Sequence, residues 1–354
     1  MTSRERVLAA ARRGRPDRVP RDISWGMSPG ALQTFKANTG REDYLGYFGV
    51  DVRFISPAPG RNAPDCSRYH DDPRVTPDEW GIGHAPGSEG SHHFTHIVSP
   101  LRSATRVEQI ADYPLPDLDA PYRYEATAAE IAAFHARGLA AAASAAVTIY
   151  EVGWQIRGLE ETLTDMITGS EMVECLFDRL MHLRIGMIGN LLRAGCDLLL
   201  LGDDISGQTG MIMSPALWRR YLRPRMARII EEARRVSPGI PVFYHSDGDC
   251  RAVLDELIEI GVTILNPVQP ECMDPAEVHR RWGDRLAFWG TISVQKTLPF
   301  GTPEDVRREV KLRMDTVGRE GGLLLGPSHM IEPEVPWENL QALYQAIDEY
   351  GVYQ

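Results

Sequence analysis

Residues 241–270 read PVFYHSDGDCRAVLDELIEIGVTILNPVQP, and the fold follows from how this stretch is punctuated. A short apolar run, 241–244, breaks into a polar loop, leads into a helix and stops at Gly261. A second apolar run, 263–265, then breaks into Asn266, Pro267 and Gln269. Short apolar strand, polar loop and helix, repeated, is the pattern of βα units in a parallel sheet.

Working outward, the same unit recurs with strands expected at 197–201, 286–289 and 322–325. Upstream, AAAASAAVTIYE (140–151) precedes a helical region. Over 170–194, Val173, Leu176, Phe177, Leu180, Met187, Ile188 and Leu191 recur at helical spacing before Gly195. Ser214-Pro215, Asp274-Pro275 and Thr302-Pro303 are cap-plus-proline helix starts, and Gly261 and Gly283 mark ends. Five such units without a glycine-rich phosphate fingerprint predict a closed (β/α)8 TIM barrel rather than a doubly wound sheet. The first hundred residues read as irregular, with helical patches near 3–13, 29–37 and 42–48. Residues 65–101, polar and rich in Gly, Pro and His, read as a hairpin excursion over the barrel mouth. The whole chain is read as a single barrel domain.

At 354 residues and 43% hydrophobic composition the chain can bury a large core. A net charge of -11, spread without an acidic tail, argues against nucleic acid and anionic membrane as partners. The five cysteines form no C-x-x-C pair and are odd in number, as free thiols would be. The start carries arginines throughout, with no apolar run suited to a signal peptide, and no stretch of about 18 uncharged apolar residues occurs. A cytoplasmic protein is expected.

In a barrel, reactive groups lie just past the C-terminal ends of the strands. Those positions hold Glu151, then Asp203, Asp204 and Gln208, then His245, Ser246, Asp247 and Gly248, then Asn266 and Gln269, then Thr291 and Gln295, and finally His329. His245 and Asp247 are two apart, so in an extended continuation both face one way. With Glu151 and His329 they make a nitrogen and oxygen ligand set that suits Zn2+. The plainer alternative for H-x-D is a histidine oriented by a carboxylate, or a loop cap. Asp203 and Asp204 are candidates for acid and base work or substrate hydrogen bonding, or else a turn motif. Gln208, Asn266 and Gln269 would offer amides to a polar ligand, although Asn-Pro is also an ordinary turn opener. Trp25, Trp154 and Trp289 would line an aromatic-accepting pocket, or else pack as core. His70, His84, His92, His93 and His96 read as surface rather than a second metal site, and Cys250 as inert.

The stretches GDDISGQTGMIMSPALWRRYLRP (202–224), YHSDGD (244–249), GVTILNPVQPECMD (261–274), FWGTISVQKTLPFGTPEDV (288–306) and GPSHMIEPEVPWENL (326–340) resemble, in this order, the uroporphyrinogen decarboxylase superfamily. The resemblance leans towards its corrinoid-linked methyltransferase branch and covers roughly residues 140–350. It implies a (β/α)8 barrel with the site at the strands' C-terminal ends. Thiol-acting members of that branch are expected to bind zinc through an H-x-C pair and a second cysteine. Here the histidine matches His245, Asp247 replaces the first cysteine, His329 takes the place of the second, and Glu151 is the fourth candidate by position. Carboxylate and imidazole leave zinc a harder Lewis acid than thiolate does, suited to an ether or hydroxyl oxygen. The resemblance therefore implies methyl transfer from an O-methyl or similarly methylated small molecule to a reduced corrinoid. Nothing in the chain resembles a corrinoid-binding module, so a separate corrinoid protein is the expected partner, and a homodimer is the default assembly. Decarboxylation of a small carboxylic acid is the alternative within the superfamily. The tetrapyrrole itself is disfavoured, because RDISWGMSPG (21–30) lacks a paired-arginine run. A non-catalytic ligand-binding barrel is the alternative outside it.

Overall fold

The computed structural model describes residues 1–23, 25–61, 66–86 and 95–353. Seven parallel strands, β1 (Val52–Ile55), β2 (Ala140–Ser144), β3 (Leu198–Gly202), β4 (Val242–His245), β5 (Ile264–Asn266), β6 (Ala287–Trp289) and β7 (Leu323–Leu324), lie side by side in chain order. The eighth stave is an extended N-terminal segment. Asp22 N–H donates to Leu325 O at 3.1 Å and Leu325 N–H to Pro20 O at 2.8 Å, and on the other side Asp51 N–H donates to Arg21 O at 3.0 Å. Residues 20–22 thus join β7 to β1 and close the curled sheet into a (β/α)8 barrel.

The strand pleat sorts side chains into two layers. Val52, Ala140, Ala142, Leu198, Leu200, Phe243, Ile264, Ala287, Trp289 and Leu324 fill the barrel interior. Their neighbours Leu199, Leu201, Val242, Tyr244, Leu265 and Phe288 face the surrounding helices. The helix Ser3–Ala11, started by a Thr2–Glu5 capping box, packs Val7, Ala10 and Ala11 against the lower interior and plugs that end. Access is left to the C-terminal mouth.

The βα units stand where the sequence pattern puts them. Each of the five expected strands begins one residue later than the apolar run. Ser214, Asp274 and Thr302 accept hydrogen bonds from Leu217, Ala276 and Asp305 N–H, and Ser170 caps the helix Glu171–Arg193. The N-terminal third is more regular than expected. β1 and the closing segment were hidden because Arg53 interrupts the first and Pro20, Arg21 and Asp22 make up the second. The excursion holds the expected antiparallel pairing and one strand more, as a three-stranded sheet (Thr76–Pro77, Gly83–Pro86, Thr95–Val98). Within it His70 bonds to Gly81 O and His84 to Asp78, while His96 is exposed. His92 and His93 lie outside the described residues. Among the described residues no helix is long and apolar enough to cross a membrane, and all five cysteines are free. Burial pushes the Cys250 thiol up to about 12, as an inert cysteine requires.

Candidate metal centre

The top layer of the barrel interior is set by register. His245 follows the inward-facing Phe243 by two, and its cross-strand partners are Gly202 on β3 and Asn266 on β5. A Cβ at Gly202, whose φ is +150°, would stand 2.5–2.6 Å from the His245 backbone and Cβ. The missing side chain gives the imidazole its place. On the other flank Asn266 Oδ1 lies 2.6 Å from His245 Nδ1, while Asn266 Nδ2 donates to Trp289 O at 2.9 Å. An amide oxygen only accepts, so Nδ1 carries the proton and Nε2 presents its lone pair.

That lone pair meets two carboxylates, Asp204 Oδ1 at 3.6 Å and Asp247 Oδ1 at 3.8 Å. Asp247 Oδ2 is 3.9 Å from His329 Nε2, which the turn after β7 brings in from the far side. Candidate ligand atoms of His245, Asp247 and His329 all lie within 4.8 Å of one another. The loop carrying Asp247 is tightly held. Asp247 N–H donates to Asp204 Oδ1 at 2.7 Å, Ser206 Oγ donates to Asp247 O at 2.6 Å, and Gly248 N–H donates to Gln269 Oε1 at 3.1 Å. Gly248, at φ +83°, admits no side chain, since a Cβ would stand 2.2 Å from Gly207 O.

Glu151 is close by but outside the three-residue group. Its Oε2 accepts Asp204 N–H at 3.0 Å. Burial, then the charges of Asp204 and Asp203, push its carboxyl up to about 9. Burial also raises Asp247 and lowers His329, each opposed by the other's charge. Asp203 is fully buried. Both its oxygens accept Ile149 N–H at 3.0 Å, and Oδ1 also accepts Glu151 N–H at 3.0 Å. It positions the start of the helix Tyr150–Arg157 and through it Glu151. Asp204 stands at the mouth.

The remaining expected residues divide. Trp25, at φ +60°, sets its ring edge against His245 with centroids 4.8 Å apart. Trp289 is fully buried beneath, with Nε1 donating to Asp22 Oδ2 at 2.8 Å. It is core, flanked by Phe54 and Phe243. Trp154 is half-buried one helical turn after Glu151. Gln208 is exposed on a two-residue hairpin, where Cys272 Sγ reaches it at 3.4 Å. Asn266 and Gln269 are buried supports of the loop and the histidine. Sequence reading treated both as ligand-facing amides; an Asn directly beside H-x-D in register is the signal that separates the roles.

A profile of the uroporphyrinogen decarboxylase (URO-D) family matches residues 70–350. The chain belongs to that family. Among curated relatives it is 28% identical over 185 residues to a methylcobamide:CoM methyltransferase of Methanosarcina barkeri, covering 52% of this chain and 51% of that protein. It is 30% identical over 187 residues to a uroporphyrinogen decarboxylase of Thermus thermophilus, covering 50% and 49%. The chain thus spans about half the length of these relatives. A methyltransferase from Methanosarcina mazei shares the fold along the whole chain, with a TM-score of 0.68, 17% identity and 99% of each chain covered.

In this URO-D family chain the donors fit a divalent ion. Asp247 Oδ1 is buried and accepts no hydrogen bond, though two imidazoles flank its carboxylate. A buried carboxylate oxygen without a donor is costly unless a cation faces it. Zinc bonds of about 2.0–2.2 Å in a tetrahedral site place ligand atoms roughly 3.4 Å apart, so the 3.8 and 3.9 Å separations, made to different Asp247 oxygens, need to close by about half an ångström, and the widest pair of the set, within 4.8 Å, by up to about 1.4 Å. His329 and Asp247 keep 42% and 36% of their side chains exposed, which leaves the centre open to a small molecule.

Proposed function

We propose that this protein transfers a methyl group from a methylated small molecule, an O-methyl ether by preference, to a reduced corrinoid carried on a separate protein, with Zn2+ held by His245, Asp247 and His329. The observation that carries the reading is the donor set: two imidazoles and a carboxylate, with no thiolate among them, at an open barrel mouth in this family. Similarity to a methylcobamide:CoM methyltransferase over half of each chain supports the reaction class. A divalent ion bound there supplies Lewis acidity for an ether or hydroxyl oxygen.

The chain's own residues do the rest. Asn266 holds His245 in one tautomer. Asp204 pins the Asp247 backbone, and Asp203 sets the helix that carries Glu151. When the methyl–oxygen bond breaks and the methyl–cobalt bond forms, the leaving oxygen needs a proton. Glu151, buried beside the centre with a carboxyl that burial raises in the metal-free protein, is the candidate to give it. In this reading Glu151 would act as proton donor instead of fourth ligand, and the three residues His245, Asp247 and His329 would hold the ion. Trp25 and Trp154 flank the mouth as the aromatic walls.

The test supplies methoxylated aromatics and Co(I) corrinoid protein, and follows the cobalt spectrum and the demethylated product. Corrinoid methylation that requires His245 is the expected result. No methylation with any donor, together with CO2 release from an acid, would replace this reading with a decarboxylase, the activity named for the Thermus thermophilus relative.

A further inference from the structure

β1 and the closing segment are joined at the bottom of the barrel and part above it. Among the described residues one backbone hydrogen bond, Asp51 N–H to Arg21 O, links them. Above that bond the chain turns away through Trp25, whose left-handed backbone (φ +60°) swings its indole across the barrel towards His245. The parting leaves a cavity of about 340 Å3. Its lining includes Phe54 and Ser144 from inward-facing strand positions, Trp25, Tyr44, Asp22 and Arg53.

Arg53 is the unexplained member. It lies on the opposite pleat of β1 to Phe54 and is only 8% exposed. Its guanidinium donates to Val50 O at 2.9 Å and Val52 O at 2.8 Å, both through Nη1. No carboxylate among the described residues lies within ion-pair distance of it. Burial, and after it the charge of Arg137, pull its pKa down against the more distant charges of Asp43, Asp22 and Asp51. A buried guanidinium without an anion is among the costlier arrangements a fold can keep. Arg123, Arg157, Arg225 and Arg313, all equally buried, each pair with a carboxylate at 2.6–2.9 Å; Arg184 is the other buried arginine without such a pair, but its donors go to Thr148 O, Val147 O and Met187 Sδ and it lines no part of this cavity. Two more donors border the same space. Trp25 Nε1 is buried without a partner, and the Tyr44 ring lines the wall. Asp22 is engaged by Trp289 Nε1.

We propose that this cavity is the binding site for the carboxylate of a small aromatic acid, with Arg53 as its counter-ion and Trp25 Nε1 and Tyr44 as supporting donors. The aromatic ring would lie against Phe54 and Trp25. Trp25 borders both the cavity and His245, so the ligand's other end would reach past Trp25 towards the metal centre. This part rests on the methyl-transfer reading and makes the donor a methoxylated aromatic acid. One arginine matches one carboxylate, not the many of a tetrapyrrole.

The binding test needs neither metal nor corrinoid, so its outcome is independent of whether methyl transfer occurs. Metal-free protein is titrated with benzoate and with the neutral isostere benzamide, reading tryptophan fluorescence and calorimetric heat. Benzoate is expected to bind more tightly than benzamide. Arg53→Gln should weaken benzoate by about 10- to 100-fold and leave benzamide unchanged, with Arg53→Lys restoring part of the loss. Tyr44→Phe, which keeps the arginine, should weaken benzoate by less. If the wild-type protein shows no preference for benzoate, or if Arg53→Gln is folded and keeps it, the proposal is overturned. Should Arg53→Gln fail to fold, the preference in wild type and its reduction in Tyr44→Phe decide the matter alone.

Discussion

Asn266 Oδ1 receives the Nδ1 proton of His245 across 2.6 Å, and this contact fixes which nitrogen of His245 faces the carboxylates. Partners of this kind set ligand tautomer and ring orientation, and losing one costs metal affinity about 10- to 100-fold. Asn266→Ala is expected to weaken zinc binding by that factor in a chelator competition while leaving the fold intact. Unchanged affinity would mean that His245 is not a ligand or does not depend on Asn266.

The barrel is closed around a buried charge. Asp51 is fully buried and accepts both Arg18 Nη atoms at 2.8 and 2.9 Å, Arg6 Nη1 at 3.2 Å and Arg21 N–H at 2.8 Å. Arg21 is the residue that bonds across to β1. Asp51→Ala strands Arg18, leaves Arg6 with Asp17 alone, and should cost about 3–5 kcal/mol in urea unfolding. A loss below about 1 kcal/mol, the scale of surface pairs, would show that closure does not depend on this network.

Glu151 makes the metal-free protein sensitive to alkali. Its folded carboxyl keeps a proton to about 9, against an ordinary value of 4.5. Between those values the folded chain binds one more proton than the unfolded chain, so stability falls as pH rises, by at most about 1.4 kcal/mol per pH unit. Below the window the penalty vanishes; above it, the penalty is complete. Glu151→Gln should remove this slope, so that the variant's stability relative to wild type rises from pH 5 to 9, roughly the span of the window. Parallel pH profiles for the two proteins would contradict it.

Much of this was readable before any coordinates. The βα units after residue 139 announce themselves because apolar runs, caps and glycines agree at each boundary, and H-x-D followed by a late histidine marks the mouth. The N-terminal third was not legible for a physical reason. Residues 20–22 make a strand only by filling the gap between β7 and β1, and β1 carries Arg53 where an apolar residue would have signalled it. The surroundings of Glu151 were equally hidden, because its raised carboxyl depends on its own burial and on the charges of Asp204 and Asp203, which tertiary packing sets. Trp289 and Trp25 look alike in sequence; strand register puts Trp289 under the mouth, and a turn with left-handed backbone at Trp25 sets the other beside His245.

The central claim is that His245, Asp247 and His329 hold a divalent ion. Metal analysis of protein purified without chelator tests it most directly, alongside Asp247→Asn, which removes the carboxylate charge. The account predicts about one equivalent of zinc per chain in the wild type and a large loss in the variant. Less than about half an equivalent of any divalent ion in wild-type protein, or full retention in Asp247→Asn, would contradict it.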